Sequence, residues 1–135
     1  HTPWLASPDH TGKSGAGEYG DFVHQADYAV GVLLQTLDKL NLSDNTLVIF
    51  SSDNGPVWFA EDIQQYGHRS AGAYRGMKMD AYEGAHRMPF VVRWPGKVRA
   101  GATSSQLLCF TDMLATFADI IRAPLPKAIT QDSYS

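Results

Sequence analysis

The feature that most constrains this chain is Thr46-Leu47-Val48-Ile49-Phe50, a run almost without a polar break that leads straight into Ser51-Ser52-Asp53-Asn54-Gly55-Pro56. β-branched and aromatic residues packed into so short a run predict a strand buried on both faces. Upstream, Phe22, Ala26, Val30, Leu33, Leu37 and Leu40 recur every three or four residues, which predicts an amphipathic helix over 18–40. The turn formers of 41–45 separate the two. A doubly apolar strand entered from a long helix suits a sheet covered on both sides, so the expected class is α/β, with a mostly parallel sheet between helix layers.

Other elements follow from the same rules. Pro89 to Trp94, closed by Pro95-Gly96, predicts a second strand, and Leu107 to Phe110 a short third. Thr111 is placed to cap a helix carrying Met113, Leu114, Phe117, Ala118 and Ile121, which must stop before Pro124. The Gly- and Ser-rich text up to Gly17 reads as irregular loop. Between Ser51 and His86 no period holds, and Gly55, Pro56, Gly67, Gly72, Gly76 and Gly84 punctuate a long loop of the kind that usually carries function.

At 135 residues the chain has room for one domain of ordinary size. On surface scaling it would leave roughly 7,000 Å² accessible of about 21,000 Å² in the extended chain. With 44% hydrophobic residues, a globular core is expected. Eleven basic residues against fourteen acidic ones give a net charge of −3, so no basic field exists to attract nucleic acid. No apolar run reaches membrane length, and the single Cys109 has no internal disulfide partner. The opening His1-Thr2-Pro3-Trp4, without an initiator Met, and the abrupt stop at Ser135 predict a piece truncated at both ends.

Three stretches could carry chemistry. Asp53 and Asn54 fall where the buried strand runs out, the place where ligands bind in open α/β sheets, and they offer the hard oxygens that calcium or magnesium takes. Asp-Asn-Gly-Pro is equally a common turn, and calcium needs about 6–8 oxygens, more than two residues supply. Tyr74 to Pro89 gathers Arg75, Lys78, His86 and Arg87 with Asp80 and Glu83. Lys78, beside flexible Gly76, could hold the oxygens of a sulfate or phosphate ester, or could be a solvated loop lysine. Arg75 and Arg87 are read as pairing with Glu83 or Asp80 to hold the loop. His1 could act as an acid or an anion contact if it sat in a cleft. His10, His24, His68 and His86 carry the same ambiguity, with His24 read as surface and Asp27 as a buried, hydrogen-bonded carboxylate. A metalloprotease His pair, a Gly-x-Ser-x-Gly elbow and a zinc-binding Cys pair are missing, and the Gly12 to Gly20 run lacks the strand that a phosphate loop needs before it.

Taken in order, His1-Thr2-Pro3-Trp4, the helix with Asp27 and Gly31, Asn45 to Gly55, Arg75-Gly76-Met77-Lys78, Glu83 to Phe90 and Trp94-Pro95-Gly96 resemble the sulfatase family of the alkaline-phosphatase-like superfamily. The resemblance covers nearly the whole chain, and Ser52-Asp53-Asn54-Gly55 points to sulfatases over relatives with His after the Asp. It implies hydrolysis of sulfate esters, small-molecule or glycan, with Asp53 and Asn54 as Ca2+ ligands, Lys78 on the sulfate group and His1 in the catalytic histidine-lysine set. It implies a formylglycine nucleophile, made from Cys or Ser in a Cys/Ser-x-Pro-x-Arg motif. Cys109 stands in Cys-Phe-Thr-Asp-Met and no Ser fits, so nucleophile and paired Asp ligands are expected outside this chain, which alone should not catalyse. Ala85 stands where the family usually has a second Gly.

Trp58, Tyr66, His68 and Arg69 are the candidates for lining the substrate site. Two other readings are a phosphate or phosphonate ester hydrolase of the same superfamily and a non-catalytic module that binds sulfated glycans. Family habit implies an exported protein, and Asn41-Leu42-Ser43 fits a glycosylation acceptor.

Overall fold

The structure, a computed structural model, describes residues 3–126 and 132–135. It divides into two compact units, His1–Ala100 and Gly101–Ser135.

The first unit is organised by helix α1, Gly17–Lys39, and strands β1, Val48–Ser51, and β2, Phe90–Arg93. α1 ends as its sequence dictates. Asn41 takes the left-handed conformation at φ 56°. Asn41 N–H then donates to Asp38 O and Leu42 N–H to Leu37 O, closing the last carbonyls in a Schellman motif. A 3-10 turn over Ser43–Asn45 carries the chain into β1.

β1 pairs with β2 in antiparallel register, Val48 opposite Arg93 and Ser51 opposite Phe90. The sheet expected here is seen only in part. Among the described residues it is one antiparallel pair rather than a mostly parallel array, and Phe50 is exposed rather than buried on both faces. The unbroken apolar run reported how much cover the strand requires, not the direction of the neighbour that this chain supplies. Arg93 locks the pair to the end of α1: its guanidinium donates to Asp38 at 3.0 Å and to Ser43 Oγ at 3.3 Å. A hydrogen bond from the Ser43 hydroxyl, and then the Arg93 guanidinium, hold the Asp38 carboxyl below its ordinary range.

The stretch from Ser51 to His86 is not all loop. It contains helix α2, Ala60–Tyr66, and one helical turn, α3, Glu83–His86. The Asp62 carboxylate accepts the Phe59 N–H at the start of α2, and Gly67 at φ 66° ends it. Seven residues are too few for a period to show, so the cap and the glycine were the legible signals.

The second unit holds α4, Asp112–Ile120. Leu107 to Phe110, expected as a third strand, is not one, and Leu107 is exposed. Thr111 precedes α4 as expected, but its hydroxyl faces Cys109 Sγ, and the Asp112 carboxylate accepts the Cys109 N–H at 3.0 Å instead. That bond and the Tyr134 N–H hold the Asp112 carboxyl below its usual range. Pro124 follows a left-handed Arg122 at φ 57° and a bond from Ala123 N–H to Ala118 O, a second Schellman ending.

The core is small. Among the described residues Trp58, Ala85 and Ala118 are the buried apolar ones, and the accessible surface is 10,517 Å², well above the roughly 7,000 Å² that a globular chain of this mass leaves. The globular core expected from composition is therefore not formed by the described residues alone. Composition counts apolar side chains without saying whether this chain covers them, and Val23, Leu33, Phe50, Val91, Leu114 and Phe117 are exposed. Among the described residues no helix is long and apolar enough to cross a membrane.

Candidate active site

Three segments lock together through glycine. Gly55 N–H donates to Ala85 O at 2.7 Å, Lys78 N–H to Pro56 O at 2.8 Å and Gly84 N–H to Arg75 O at 2.8 Å. The approach leaves no space for side chains: a Cβ on Gly55 would stand 1.9 Å from Gly84 O, and one on Gly84 2.2 Å from Gly76 O. The end of β1, the turn 75–80 and α3 thus form one hub, which sets Asp53-Asn54 and Lys78 on adjoining strands of chain. Ala85, the departure from the Gly-Gly pattern, is 2% exposed within α3 and is not among the residues with positive φ. The turn therefore accepts a methyl group there.

Each candidate at the hub has a defined setting. The Asp53 carboxylate is exposed, with only the Ser52 hydroxyl beside it, at 3.5 Å, among the described residues. Asn54 is half-buried and its Nδ2 donates to Gly55 O at 2.9 Å, which leaves Oδ1 as the atom a cation could take. One carboxylate and one amide oxygen fit part of a calcium shell by donor type, and the described residues do not complete the set. Among the described residues no group of three or more acidic, His or Cys side chains could hold a metal.

The cations of the 75–87 stretch divide cleanly. Arg87 is paired with Glu83, which raises its pKa, and Arg75 lies over the Tyr82 ring at 3.7 Å from the centroid. Of the two arginines read as structural, Arg87 takes the expected carboxylate and Arg75 an aromatic face. Half-buried Lys78 has no such partner among the described residues. Its turn is tight: Asp80 Oδ2 accepts the Met77 N–H at 2.9 Å, and Met79 takes φ 79°, a strained setting for a residue with a side chain. His1 lies outside the described residues.

Beside the hub opens a cleft of about 350 Å³, lined by Pro56, Trp58, Phe59, Arg69, Tyr74, Gly76 and Asp80 among others. Of the proposed lining residues, Trp58 and Arg69 reach it, while His68 and Tyr66 are not among its walls. Trp58 is 7% exposed, its ring packed near Tyr19, Tyr66 and His68, and its Nε1 donates to His68 O at 2.9 Å. His68 and Arg69 side chains are exposed.

Two expected roles move elsewhere. Asp27 is exposed, and the buried carboxylate on α1 is Asp21, one turn and a half earlier. Asp21 accepts the Gly12 N–H at 2.6 Å, the Ser14 N–H at 2.9 Å and the Ser14 hydroxyl at 2.8 Å, which pull its pKa down to about 2. The glycine-rich run does cradle an anion, and that anion is the chain's own. His24 is exposed as read, with its Nδ1 3.0 Å from His10 Nδ1.

Comparison with known proteins gives the chain its family. The Sulfatase family model matches residues 1–123. The chain is 42% identical to an N-acetylgalactosamine-6-O-sulfatase of Bacteroides thetaiotaomicron, over 98% of this chain and 27% of that protein. It is also 42% identical to a steryl-sulfatase of Rattus norvegicus, over 93% of this chain and 22% of that protein. A solved 6S-sulf structure, described under the metabolism of multiple glycosaminoglycans by Bacteroides thetaiotaomicron, superposes with a TM-score of 0.91 at 41% identity, over 100% of this chain and 29% of that one. The chain thus spans between about a fifth and three tenths of the length of these proteins. It belongs to the sulfatase family.

Proposed function

We propose that this chain forms part of the catalytic domain of a sulfuric ester hydrolase, in which Lys78 holds the sulfate group and Asp53 and Asn54 supply two of the oxygens around a Ca2+. The observation that carries the reading is the glycine-locked hub, which joins the Asp53-Asn54 turn to Lys78, a cation without a carboxylate or ring partner among the described residues. β1 then belongs to the mostly parallel sheet between helix layers that the family resemblance implies.

The chemistry follows from charge. When the sulfur–oxygen bond to the alcohol breaks, negative charge grows on the sulfuryl and leaving oxygens, and a fixed ammonium and a divalent cation lower that barrier. The formylglycine that the family resemblance implies, outside this chain, would supply the attacking oxygen. Lys78 orients the sulfate and offsets its charge. Asn54, its amide nitrogen committed to Gly55 O, presents a carbonyl oxygen without choosing between orientations. His1, at the leaving oxygen, would return a proton to the departing alcohol.

The test is Lys78→Ala in the complete protein, assayed on an aryl sulfate and the matching aryl phosphate. The expected result is turnover of the sulfate ester by the parent and a loss of about 10²–10³ in kcat for the variant, the usual effect of deleting one charge-stabilising donor. An unchanged rate removes Lys78 from the site. Preference for the phosphate ester would transfer the protein to the phosphoryl-transfer branch, and calcium binding without turnover of either ester would make it a binding module.

A further inference from the structure

The cleft beside the hub contains a cation that the proposed chemistry does not use. Arg69, Arg75 and one carboxylate, Asp80, line it. Asp80 is occupied by the Met77 N–H and Arg75 by the Tyr82 ring, so Arg69 is left without an ion pair, hydrogen bond or ring contact for its guanidinium among the described residues. The position of Arg69 is nonetheless set. Trp58, buried at the cleft wall, donates its indole N–H to the carbonyl of His68, the residue immediately before it, and Gly72 N–H donates to Arg69 O at 2.9 Å. Phe59, 46% exposed, and Tyr74, 49% exposed, add aromatic wall. About 350 Å³ lies at the small end of ligand pockets, the scale of one or two sugar rings. Pro56 and Met77, which also line the cleft, adjoin the hub segments that carry Asn54 and Lys78.

We propose that this cleft is a glycan subsite in which Arg69 reads a second anionic group, a carboxylate or a further sulfate, on the sugar next to the one that carries the scissile sulfate. A planar guanidinium takes either oxyanion through paired N–H donors, and aromatic walls suit the apolar faces of a sugar. Arg69 is a specificity residue: it touches substrate away from the reacting atoms, and it favours acidic oligosaccharides over neutral sulfate esters.

The inference rests on the sulfatase reading of the hub, and the experiment separates the two. The complete protein and its Arg69→Ala and Arg69→Lys variants are assayed on three sulfated disaccharides, whose neighbouring sugar is neutral, carries a uronic carboxylate or carries a second sulfate. The quantity read is the ratio of kcat/KM for each acidic substrate to that for the neutral one. Arg69→Ala is expected to lower that ratio at least tenfold for one of the acidic pair, through KM, with part restored by Arg69→Lys; the substrate affected identifies the anion. Equal losses on all three, or none, overturn the subsite. If the parent hydrolyses neither these nor an aryl sulfate, the hydrolase reading has failed; where it hydrolyses none of the three, calorimetric binding of the same disaccharides still decides the subsite by the same ratio of affinities.

Discussion

At the scale of single residues, the clearest case is Asp21. Its carboxylate gathers donors from Gly12 and Ser14, and they hold its pKa at about 2 where an aspartate ordinarily stands at 3.8. A group whose pKa falls on folding stabilises the fold above its unfolded pKa, and that support is lost as pH falls through the folded value. The loop 12–14 should therefore be fastened at neutral pH and loosen between about pH 4 and 2. Hydrogen exchange at the Gly12 and Ser14 amides of the complete protein reads this directly. Protection should decline over that range in the parent, and Asp21→Asn should be less protected at pH 7 and nearly pH-independent. Protection that ignores both pH and the substitution would show that the carboxylate does not hold the loop. The sequence reading chose Asp27 because a carboxylate within an apolar helical pattern suggests a buried one. The informative signal was the donor-rich loop before the helix, whose backbone N–H groups need an acceptor; Asp21, one turn after Glu18 on α1, supplies it.

At the scale of elements, the Asp53-Asn54 turn, the Lys78 turn and α3 are positioned by each other rather than by a common sheet. α1, β1, β2 and α4 were legible because each repeats one pattern long enough to show, and the Asp53 and Lys78 segments because turn chemistry and cation density mark them. The way they interlock was not legible, since close backbone approach leaves only glycines in the sequence, and glycines read as breaks. Gly55→Ala tests the hub. Its Cβ would meet the Gly84 carbonyl at 1.9 Å and the Ala85 Cα at 2.9 Å, backbone atoms that cannot rotate away. The cost should be about 3 kcal/mol, at the upper end of overpacking penalties, accompanied by weaker calcium binding because the Asn54 turn is displaced. A thermal midpoint and a calcium titration on the complete protein check both, and a variant that keeps both values would show that the hub yields without consequence.

At the scale of the whole molecule, the accessible surface decides what this chain can do by itself. It leaves 10,517 Å² accessible against the roughly 7,000 Å² of a globular chain of its mass, so about a third of its surface is what a compact fold would have buried. Much of it is apolar: Leu114, Phe117, Ile120 and Ile121 are exposed in the second unit, and Val23, Leu33, Phe50 and Val91 in the first. Burial of apolar surface is the main favourable term of folding, and native domains exceed their entropy cost by only about 5–15 kcal/mol. A chain that forgoes so much burial has no such margin. Expressed as these 135 residues, the protein should bind a hydrophobic dye strongly, unfold without a cooperative transition and associate as concentration rises. The strand edges of the β1–β2 pair give that association a template. A monodisperse monomer with a sharp thermal transition would contradict this, and would mean that packing in solution covers side chains exposed in this structure. Calorimetry with light scattering on the same sample distinguishes the two, because lost cooperativity and association both follow from uncovered apolar faces, whereas a folded monomer shows neither.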